Sequence, residues 1–183
     1  KGRDQAKVDP EVEKLSKAIA KDPILFKKRI DAVNEAGVTG ERKSIAMYLA
    51  ALDSRLLPKG KAGPNVLALK NAGHFGAGKS YTLMMCLQIY PESAYHLITS
   101  GSPKSLYHLE KGLAHKALVV TEGYQFQANS AMDSEWAYCI RSVLSEGEVS
   151  YWVVEKDESG KLVTREKKIK GPTSFITTTA MES

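Results

Sequence analysis

Residues 71–82 read Asn-Ala-Gly-His-Phe-Gly-Ala-Gly-Lys-Ser-Tyr-Thr. A glycine, four further residues and then Gly-Lys-Ser make up the complete pattern of a phosphate-binding loop. The apolar run Val66-Leu67-Ala68-Leu69 comes before it and predicts a buried strand, and the apolar residues from Thr82 to Ile89 predict a helix after it. The motif requires this order of strand, glycine-rich loop and helix. The stretch therefore predicts a site for the phosphates of a nucleotide.

The residue types in the loop suit that chemistry. Glycines at 73, 76 and 78 permit backbone angles that let successive amide N–H groups turn toward an anion, and the N-terminus of the following helix faces the same point. Lys79 would reach the β- and γ-phosphates, and the Ser80 hydroxyl would bind magnesium. The predicted nucleotide-binding residues are Gly73, His74, Phe75, Gly76, Ala77, Gly78, Lys79, Ser80 and Tyr81. The alternative is a glycine-rich strand-to-helix turn without a ligand, and the motif does not specify the base.

Composition sets broad limits on the class of protein. The chain has 183 residues, 43% hydrophobic and 26% charged, which is enough for one substantial core of ordinary globular composition. It contains no run of eighteen apolar residues and starts without an apolar signal-peptide core, so we expect a cytoplasmic protein without a membrane partner. Cys86 and Cys139 have no second ligand at metal-binding spacing, and we predict no metal beyond nucleotide-bound magnesium. The net charge of +5 permits nucleic-acid binding without demonstrating it.

The N-terminal part reads as three helices. Asp9-Pro10 and Asp22-Pro23 each predict a helix start, with the second helix ending near Gly37, and a third helix is predicted from about Gly40 to Leu57. Residues 58–64 read as a linker because they are rich in proline, glycine and lysine. We therefore predict a small N-terminal helical region, residues 1–60, and a second domain, residues 61–183.

The second domain alternates strands with helices. Further strands are predicted at residues 95–99, 116–121 and 174–178, and helices at 104–109 and from Asp133 or Ser134 to Leu144. Residues 148–170 break the alternation and predict a β-hairpin with its turn at 157–160. The expected fold is α/β, with a parallel sheet covered by helices on both faces and a hairpin inserted before the last strand.

Nucleotide hydrolysis needs an acidic residue beside the phosphate loop. Glu122 is the candidate because it follows the buried run Leu118-Val-Val120, at the carboxyl end of a strand where parallel sheets place their sites. An ordinary surface glutamate is the alternative. Thr121 stands where an aspartate is usual, so either Glu122 alone both orients magnesium and polarises the attacking water, or Thr121 contributes a hydroxyl to the magnesium water shell. One hydroxyl of the final strand, with Thr178 assigned to the role, would position the attacking water; threonines as simple strand formers are the alternative.

The order of these parts resembles the core of AAA+ ATPases, and the hairpin before the last strand resembles that of their helicase branch. More narrowly, the chain from about residue 22 onward resembles the helicase-like ATPase module of primase-type replication proteins of bacterial mobile elements. That resemblance depends on short motifs: Gly40-Glu41, Tyr48-Leu-Ala, Ser54-Arg-Leu-Leu-Pro58, Ala77-Gly-Lys-Ser80, Ser105-Leu-Tyr107, His115-Lys116, Ile140-Arg141, Ser145-Glu-Gly147, Val163-Thr-Arg165 and Gly171-Pro172.

The resemblance implies ATP and magnesium as cofactors, self-assembly into a ring, and DNA engaged by hairpin 149–170. In that hairpin the candidate DNA contacts are Lys156, Lys161, Arg165 and Lys168. The family's fifth strand, arginine finger and helical lid with its sensor-2 arginine follow the last strand seen here. Because the chain stops at Ser183, we expect a fragment that is deficient in hydrolysis by itself.

Three functions are compatible with this pattern. The first is a DNA-directed ATPase motor in the replication of a mobile element. The second is a nucleotide-dependent switch that loads or recruits another replication protein without translocating along DNA. The third is a small-molecule kinase, which is disfavoured because the chain has a hairpin where an arginine-rich lid would be expected. Motor and switch share every motif, and DNA-stimulated hydrolysis distinguishes them.

Overall fold

A computed structural model describes residues 9–58, 60, 63–99, 106, 107, 109, 112–121 and 131–180, with the backbone alone for 131–136. The chain divides into two compact units, residues 1–42 and residues 43–183. In the part that the structure describes, no helix combines the length and the apolar character needed to cross a membrane.

The described part of the first unit carries two helices, and the first of them begins as predicted. Helix α1 spans Pro10–Ala20, and the Asp9 carboxylate before it accepts a hydrogen bond of 2.8 Å from the backbone N–H of Glu11. Helix α2 spans Leu25–Glu35 with Ile24, not Asp22, as its N-cap residue; the Asp22 carboxylate accepts a hydrogen bond of 3.0 Å from the Ile24 N–H before the helix begins. A hydrogen bond from Lys28 holds the pKa of the Asp22 carboxyl below its usual range. A side-chain cap therefore fixes the start of α1 as predicted, whereas α2 begins at Leu25, after the start predicted at Asp22-Pro23, and has no side-chain cap.

Helix α3, Arg42–Ser54, groups with the sheet rather than with the N-terminal helices, where the sequence pattern had placed it. Its buried side chains, Ile45, Tyr48, Leu49 and Leu52, recur at helical spacing. The Ser54 hydroxyl accepts a hydrogen bond of 2.9 Å from the N–H of Leu67, just before the first strand. The proline- and glycine-rich segment after α3 therefore connects parts of one unit.

The second unit is α/β, with a parallel sheet of four strands flanked by helices, and an antiparallel hairpin. The sheet order is β1-β6-β3-β2, and every neighbouring pair is parallel, as predicted. The elements are β1 Ala68–Gly73, α4 Lys79–Leu87, β2 Tyr95–Ile98, β3 Lys116–Val120, α5 Ala131–Ser145, β4 Glu148–Lys156, β5 Leu162–Lys170 and β6 Thr173–Ala180. Strands β4 and β5 form the predicted hairpin.

The core surrounds the two inner strands, β3 and β6. Val119 and Ile176 are fully buried, and strand β6 is buried from Thr173 to Thr179. One apolar cluster joins these strands to α5 and to the base of the hairpin; its members include Leu118, Val120, Phe175, Cys139, Val143, Val149 and Ile169. This packing fixes the hairpin at its base, while its turn extends away from the cluster.

Strand β1 differs from the prediction in two ways. It begins at Ala68 rather than at Val66, and it is not buried, because Ala68, Lys70 and Ala72 are exposed. Among the described strands it has only one neighbour, β6, and lies at an edge of the sheet. Two smaller differences concern helices. Helix α5 starts at Ala131, before the predicted cap, and the helix predicted at 104–109 lies mostly outside the described residues, which show a single turn at Leu106 and Tyr107.

Candidate functional site

The loop between β1 and α4 is closed by its own backbone. The N–H of Ala77 donates to the carbonyl of His74 at 3.3 Å, and the N–H of Thr82 donates to the carbonyl of Gly78 at 2.9 Å. Gly76 and Gly78 have φ angles of 78° and 72°, in the left-handed region that strains other residues. Gly78 is also the N-cap residue of α4. The expected glycine requirement therefore holds at positions 76 and 78.

Gly73 does not need that conformational freedom, contrary to the expectation, since its φ is not positive. A Cβ built at Gly73 would lie 3.5 Å from the Cδ of Lys79, which is ordinary van der Waals contact. The close approach of the lysine side chain to the end of β1 therefore distinguishes this glycine from the other two.

Lys79, the first residue of α4, folds back over the loop. Its Nζ donates hydrogen bonds to the carbonyl oxygens of Gly73 at 2.7 Å and His74 at 2.6 Å. An ammonium group has three N–H donors, and these bonds use two of them. The loop backbone thus holds a positive charge where β1 ends and α4 begins, at the end of the helix whose dipole attracts anions.

The loop borders an open cavity of about 160 Å³. The cavity is lined by residues 75–81 together with Thr178, Thr179 and Ala180 at the end of β6. Phe75 is 88% exposed at its mouth, and Tyr81 is about half exposed. The cavity therefore brings seven of the nine predicted nucleotide-binding residues together with the last residues of β6. The other two, Gly73 and His74, do not line it, but their carbonyl oxygens accept hydrogen bonds from Lys79, which does.

Strand β6 places one threonine hydroxyl against the loop. Its pairing with β1 sets Thr178 opposite Asn71, and the Thr178 Oγ1 lies 3.2 Å from the Ser80 Oγ. Thr178 is 1% exposed and Ser80 is half-buried, so this contact is partly shielded from bulk water. The Thr177 hydroxyl donates instead to the carbonyl of Thr178 at 3.5 Å. The structure thus singles out Thr178 from the three consecutive threonines.

The predicted catalytic carboxylate, Glu122, lies outside the described residues. Thr121, its predecessor, follows the end of β3, and the Thr121 N–H donates to the carbonyl of Ile98 at 3.2 Å. In the described ranges, no group of three His, Cys, Asp or Glu residues could hold a metal ion. Among the hydroxyls that line the cavity, those of Ser80 and Thr178 lie 3.2 Å apart and could bind magnesium. The loop thus fits a phosphate group, and a magnesium ion would come with the nucleotide.

A tyrosine that sequence reasoning did not assign to the site also reaches it. Tyr48 of α3 is fully buried, and its hydroxyl donates to the backbone carbonyl of Lys79 at 3.3 Å. The same hydroxyl accepts a hydrogen bond of 2.6 Å from the Asn71 Nδ2 on β1. The sequence did offer one signal, a tyrosine within a stripe of buried aliphatic residues. A buried phenol usually requires a hydrogen-bond partner, so Tyr48 could have been expected to bond to a neighbouring element.

The candidate DNA contacts of the hairpin do not share one face. Because residues opposite each other in a β-ladder point to the same side, Lys156 and Lys168 lie on the face that carries Trp152. Arg165 lies opposite Val153, on the other face, and Lys161 belongs to the turn. Lys168 also pairs with Glu166 at 3.4 Å. Cations on the Trp152 face and at the turn are therefore better placed to act together than Arg165.

Two adjacent aromatic residues of β4 have different surroundings. The Tyr151 ring stacks on Tyr107, with ring centroids 4.8 Å apart, whereas Trp152 is 62% exposed. Val154 and Leu162 are exposed on the same face as Trp152. One aromatic residue of β4 is therefore packed and the next is accessible.

The hairpin turn is organised by Asp157. Its Oδ1 accepts hydrogen bonds from the Ser159 hydroxyl at 2.6 Å, the Ser159 N–H at 2.9 Å and the Lys161 N–H at 3.0 Å. The Ser159 hydroxyl is the largest of the influences that hold the pKa of the Asp157 carboxyl below its usual range, followed by the N–H of Lys161. These bonds favour the charged carboxylate and fix the position of Lys161.

Comparison of the sequence with protein-family models gives no match, and a search of curated proteins also gives none. The residues and geometry of this chain are therefore the basis for assigning the site.

Proposed function

We propose that the chain is the ATP-binding and hydrolysing module of a DNA replication helicase or primase-associated protein, and that it couples ATP hydrolysis to DNA engagement. The observation that carries the proposal is the arrangement around the phosphate loop. Lys79 is held over the loop by two backbone carbonyls, and the Ser80 hydroxyl lies 3.2 Å from Thr178. These groups match the roles of cation, magnesium ligand and polar sensor that nucleotide hydrolysis requires.

The loop residues divide the binding task. Backbone N–H groups of Gly76 and of residues 78–81, at the N-terminus of α4, bind phosphate oxygens, and Lys79 neutralises the charge on the terminal phosphates. Ser80 supplies an oxygen ligand to the magnesium ion that accompanies ATP, and the ion offsets charge that develops on the phosphates. Two observations support this assignment: the sequence contains the complete phosphate-loop motif, and Gly76 and Gly78 adopt left-handed backbone conformations.

Strand order supports the assignment of the hydrolytic groups. Strand β6 pairs with β1 on one side and with β3 on the other, so Thr178 lies between the loop and the end of β3. Glu122 follows β3 in sequence and is proposed as the carboxylate that polarises the attacking water. Asp133 and Glu135 are the next candidates for that role.

DNA engagement is assigned to the hairpin. Trp152 offers an exposed indole for base stacking, and Lys156 and Lys168 lie on the same face. Lys161 at the turn adds a further cation. The proposed assembly is a homo-oligomeric ring in which these hairpins contact one DNA strand; the resemblance to helicase-type AAA+ ATPases is the basis for that part.

The test is the ATPase rate of the full-length protein with and without single-stranded DNA. The proposal predicts a rate that rises when DNA is added and is abolished by Glu122→Gln, which retains bound ATP. DNA-independent hydrolysis would favour a nucleotide-dependent loader or recruitment switch. Hydrolysis by Glu122→Gln at the parental rate would place the catalytic carboxylate elsewhere.

A further inference from the structure

The hydroxyl of Tyr48 joins three elements at the phosphate loop. Tyr48 lies on α3, donates to the carbonyl of Lys79 on α4 and accepts from the amide of Asn71 on β1. Asn71 is itself opposite Thr178, whose hydroxyl contacts Ser80. The side chain of Tyr48 is 0% exposed, so these hydrogen bonds lie in a shielded environment, where they are stronger than in water.

The carbonyl that Tyr48 contacts belongs to the peptide group between Lys79 and Ser80. A trans peptide is planar, so its C=O and N–H point in opposite directions. In a helix the N–H groups of the first turn point toward the N-terminus, which here is the phosphate loop. A hydrogen bond that fixes the Lys79 carbonyl therefore also fixes the Ser80 N–H, and it polarises that N–H as a donor.

We propose that Tyr48 is a positioning residue that orients the Lys79–Ser80 peptide so that its N–H binds a phosphate of the nucleotide. The inference depends on the proposed ATP site and adds a residue from outside the loop to it. Tyr48 does not touch the nucleotide. It acts through the backbone of the first turn of α4, and Asn71 holds the phenol in place.

The chain offers a matched control at the other end of α4. Tyr90 follows α4, and its hydroxyl donates to the Asp53 Oδ1 at 2.7 Å and to the Leu49 carbonyl at 3.4 Å. Tyr90→Phe, like Tyr48→Phe, removes a hydroxyl that joins α3 to the α4 region. Only Tyr48 contacts the end of α4 that carries the phosphate loop.

The experiment is calorimetric titration of the 183-residue chain with magnesium-ATP and, separately, with magnesium and inorganic triphosphate. Tyr48→Phe should lower the affinity for both ligands by a similar factor, roughly 3- to 10-fold, because the hydrogen bond that orients the Lys79–Ser80 peptide is lost. Tyr90→Phe should change both affinities by less than about 2-fold. The melting temperatures of both variants are measured in parallel.

A double variant, Tyr48→Phe with Asn71→Leu, separates positioning from stability. Replacing both partners of a buried hydrogen bond by apolar groups restores much of the lost stability, so the melting temperature should rise above that of Tyr48→Phe. Under the proposal the affinity for triphosphate stays reduced, since the Lys79 carbonyl still lacks the hydrogen bond from the Tyr48 hydroxyl.

Three results would overturn the inference. The first is recovery of affinity together with melting temperature in the double variant, and the second is an equal loss of affinity in Tyr90→Phe; both would indicate a purely structural role. The third is loss of ATP affinity without loss of triphosphate affinity, which would place the effect at the base. If the parent chain binds neither ligand, the proposed function fails, and the inference fails with it.

Discussion

The Ser80 hydroxyl lies 3.2 Å from the Thr178 hydroxyl, although 98 positions separate the two residues in the chain. Parallel pairing of β1 with β6 brings them together, because it sets the last residues of both strands side by side. A residue of the phosphate loop thus contacts the strand that lies between the loop and the end of β3. The role proposed for Thr178 can therefore be tested separately from nucleotide binding.

Removal of the Thr178 hydroxyl should impair turnover more than binding. In the full-length protein we expect Thr178→Val to lower the ATPase kcat by roughly 100-fold with little change in KM, as for the loss of one group that acts in the transition state. Thr178→Ser keeps the hydroxyl and should retain most of the activity. Steady-state ATPase assays compare the two, and equal rates for the valine and serine variants would remove Thr178 from the mechanism.

The hairpin lysines should contribute to DNA binding by releasing counterions. Lys156→Ala combined with Lys161→Ala removes two cations, so the slope of log affinity against log salt for DNA should flatten by roughly 1.4–1.8. The control, Lys14→Ala on α1 with Lys21→Ala just after that helix, causes the same change in net charge. An unchanged slope for the hairpin pair, or an equal change in the control, would favour the loader-type switch.

The two aromatic residues of β4 should have separable effects. Trp152→Ala should weaken single-stranded DNA binding by roughly 1–3 kcal/mol, the worth of one base stacked on an aromatic side chain, without lowering the melting temperature. Tyr151→Ala should lower stability, because it removes the stack on Tyr107. Fluorescence anisotropy and thermal denaturation measure the two quantities. If the DNA affinity depended on Tyr151 and not on Trp152, the DNA-binding face proposed here would be wrong.

Local patterns in the sequence predicted much of this fold. The cap at Asp9, the turn at Asp157 and the buried run of β3 each depend on residues close together in the chain. The left-handed glycines at 76 and 78 follow from the motif in the same way. These features could be predicted because short-range hydrogen bonds and apolar periodicity determine them.

Features that depend on distant partners could not be predicted in this way. The exposure of β1 depends on which strands lie beside it, and an apolar run in the sequence does not predict the order of strands in the sheet. The contact that singles out Thr178 requires the register between β1 and β6. The hydrogen bonds of Tyr48 require α3 to pack against the loop. The proline- and glycine-rich segment after α3 predicted a domain boundary instead, so the sequence did not indicate this packing.

The carboxyl of Asp157 should titrate at unusually low pH. Its folded pKa is lowered, so its stabilising hydrogen bonds are present above the unfolded pKa and are lost as the pH falls through the folded pKa. Carbon-detected NMR titration should give a lower midpoint for Asp157 in the parent than in Ser159→Ala, which removes the largest cause of the shift. Identical midpoints would show that the Ser159 hydroxyl does not stabilise the carboxylate.

The most direct test of the account is the affinity of the 183-residue chain for magnesium-ATP when Lys79 is replaced. Lys79→Ala should weaken binding by roughly 10- to 150-fold, the loss expected for one hydrogen bond to a charged group. Lys70→Ala removes an exposed lysine of β1 outside the loop and should leave binding unchanged. Calorimetric titration of the three folded proteins gives the answer. Unchanged ATP affinity in Lys79→Ala would contradict the assignment of this loop as the nucleotide site.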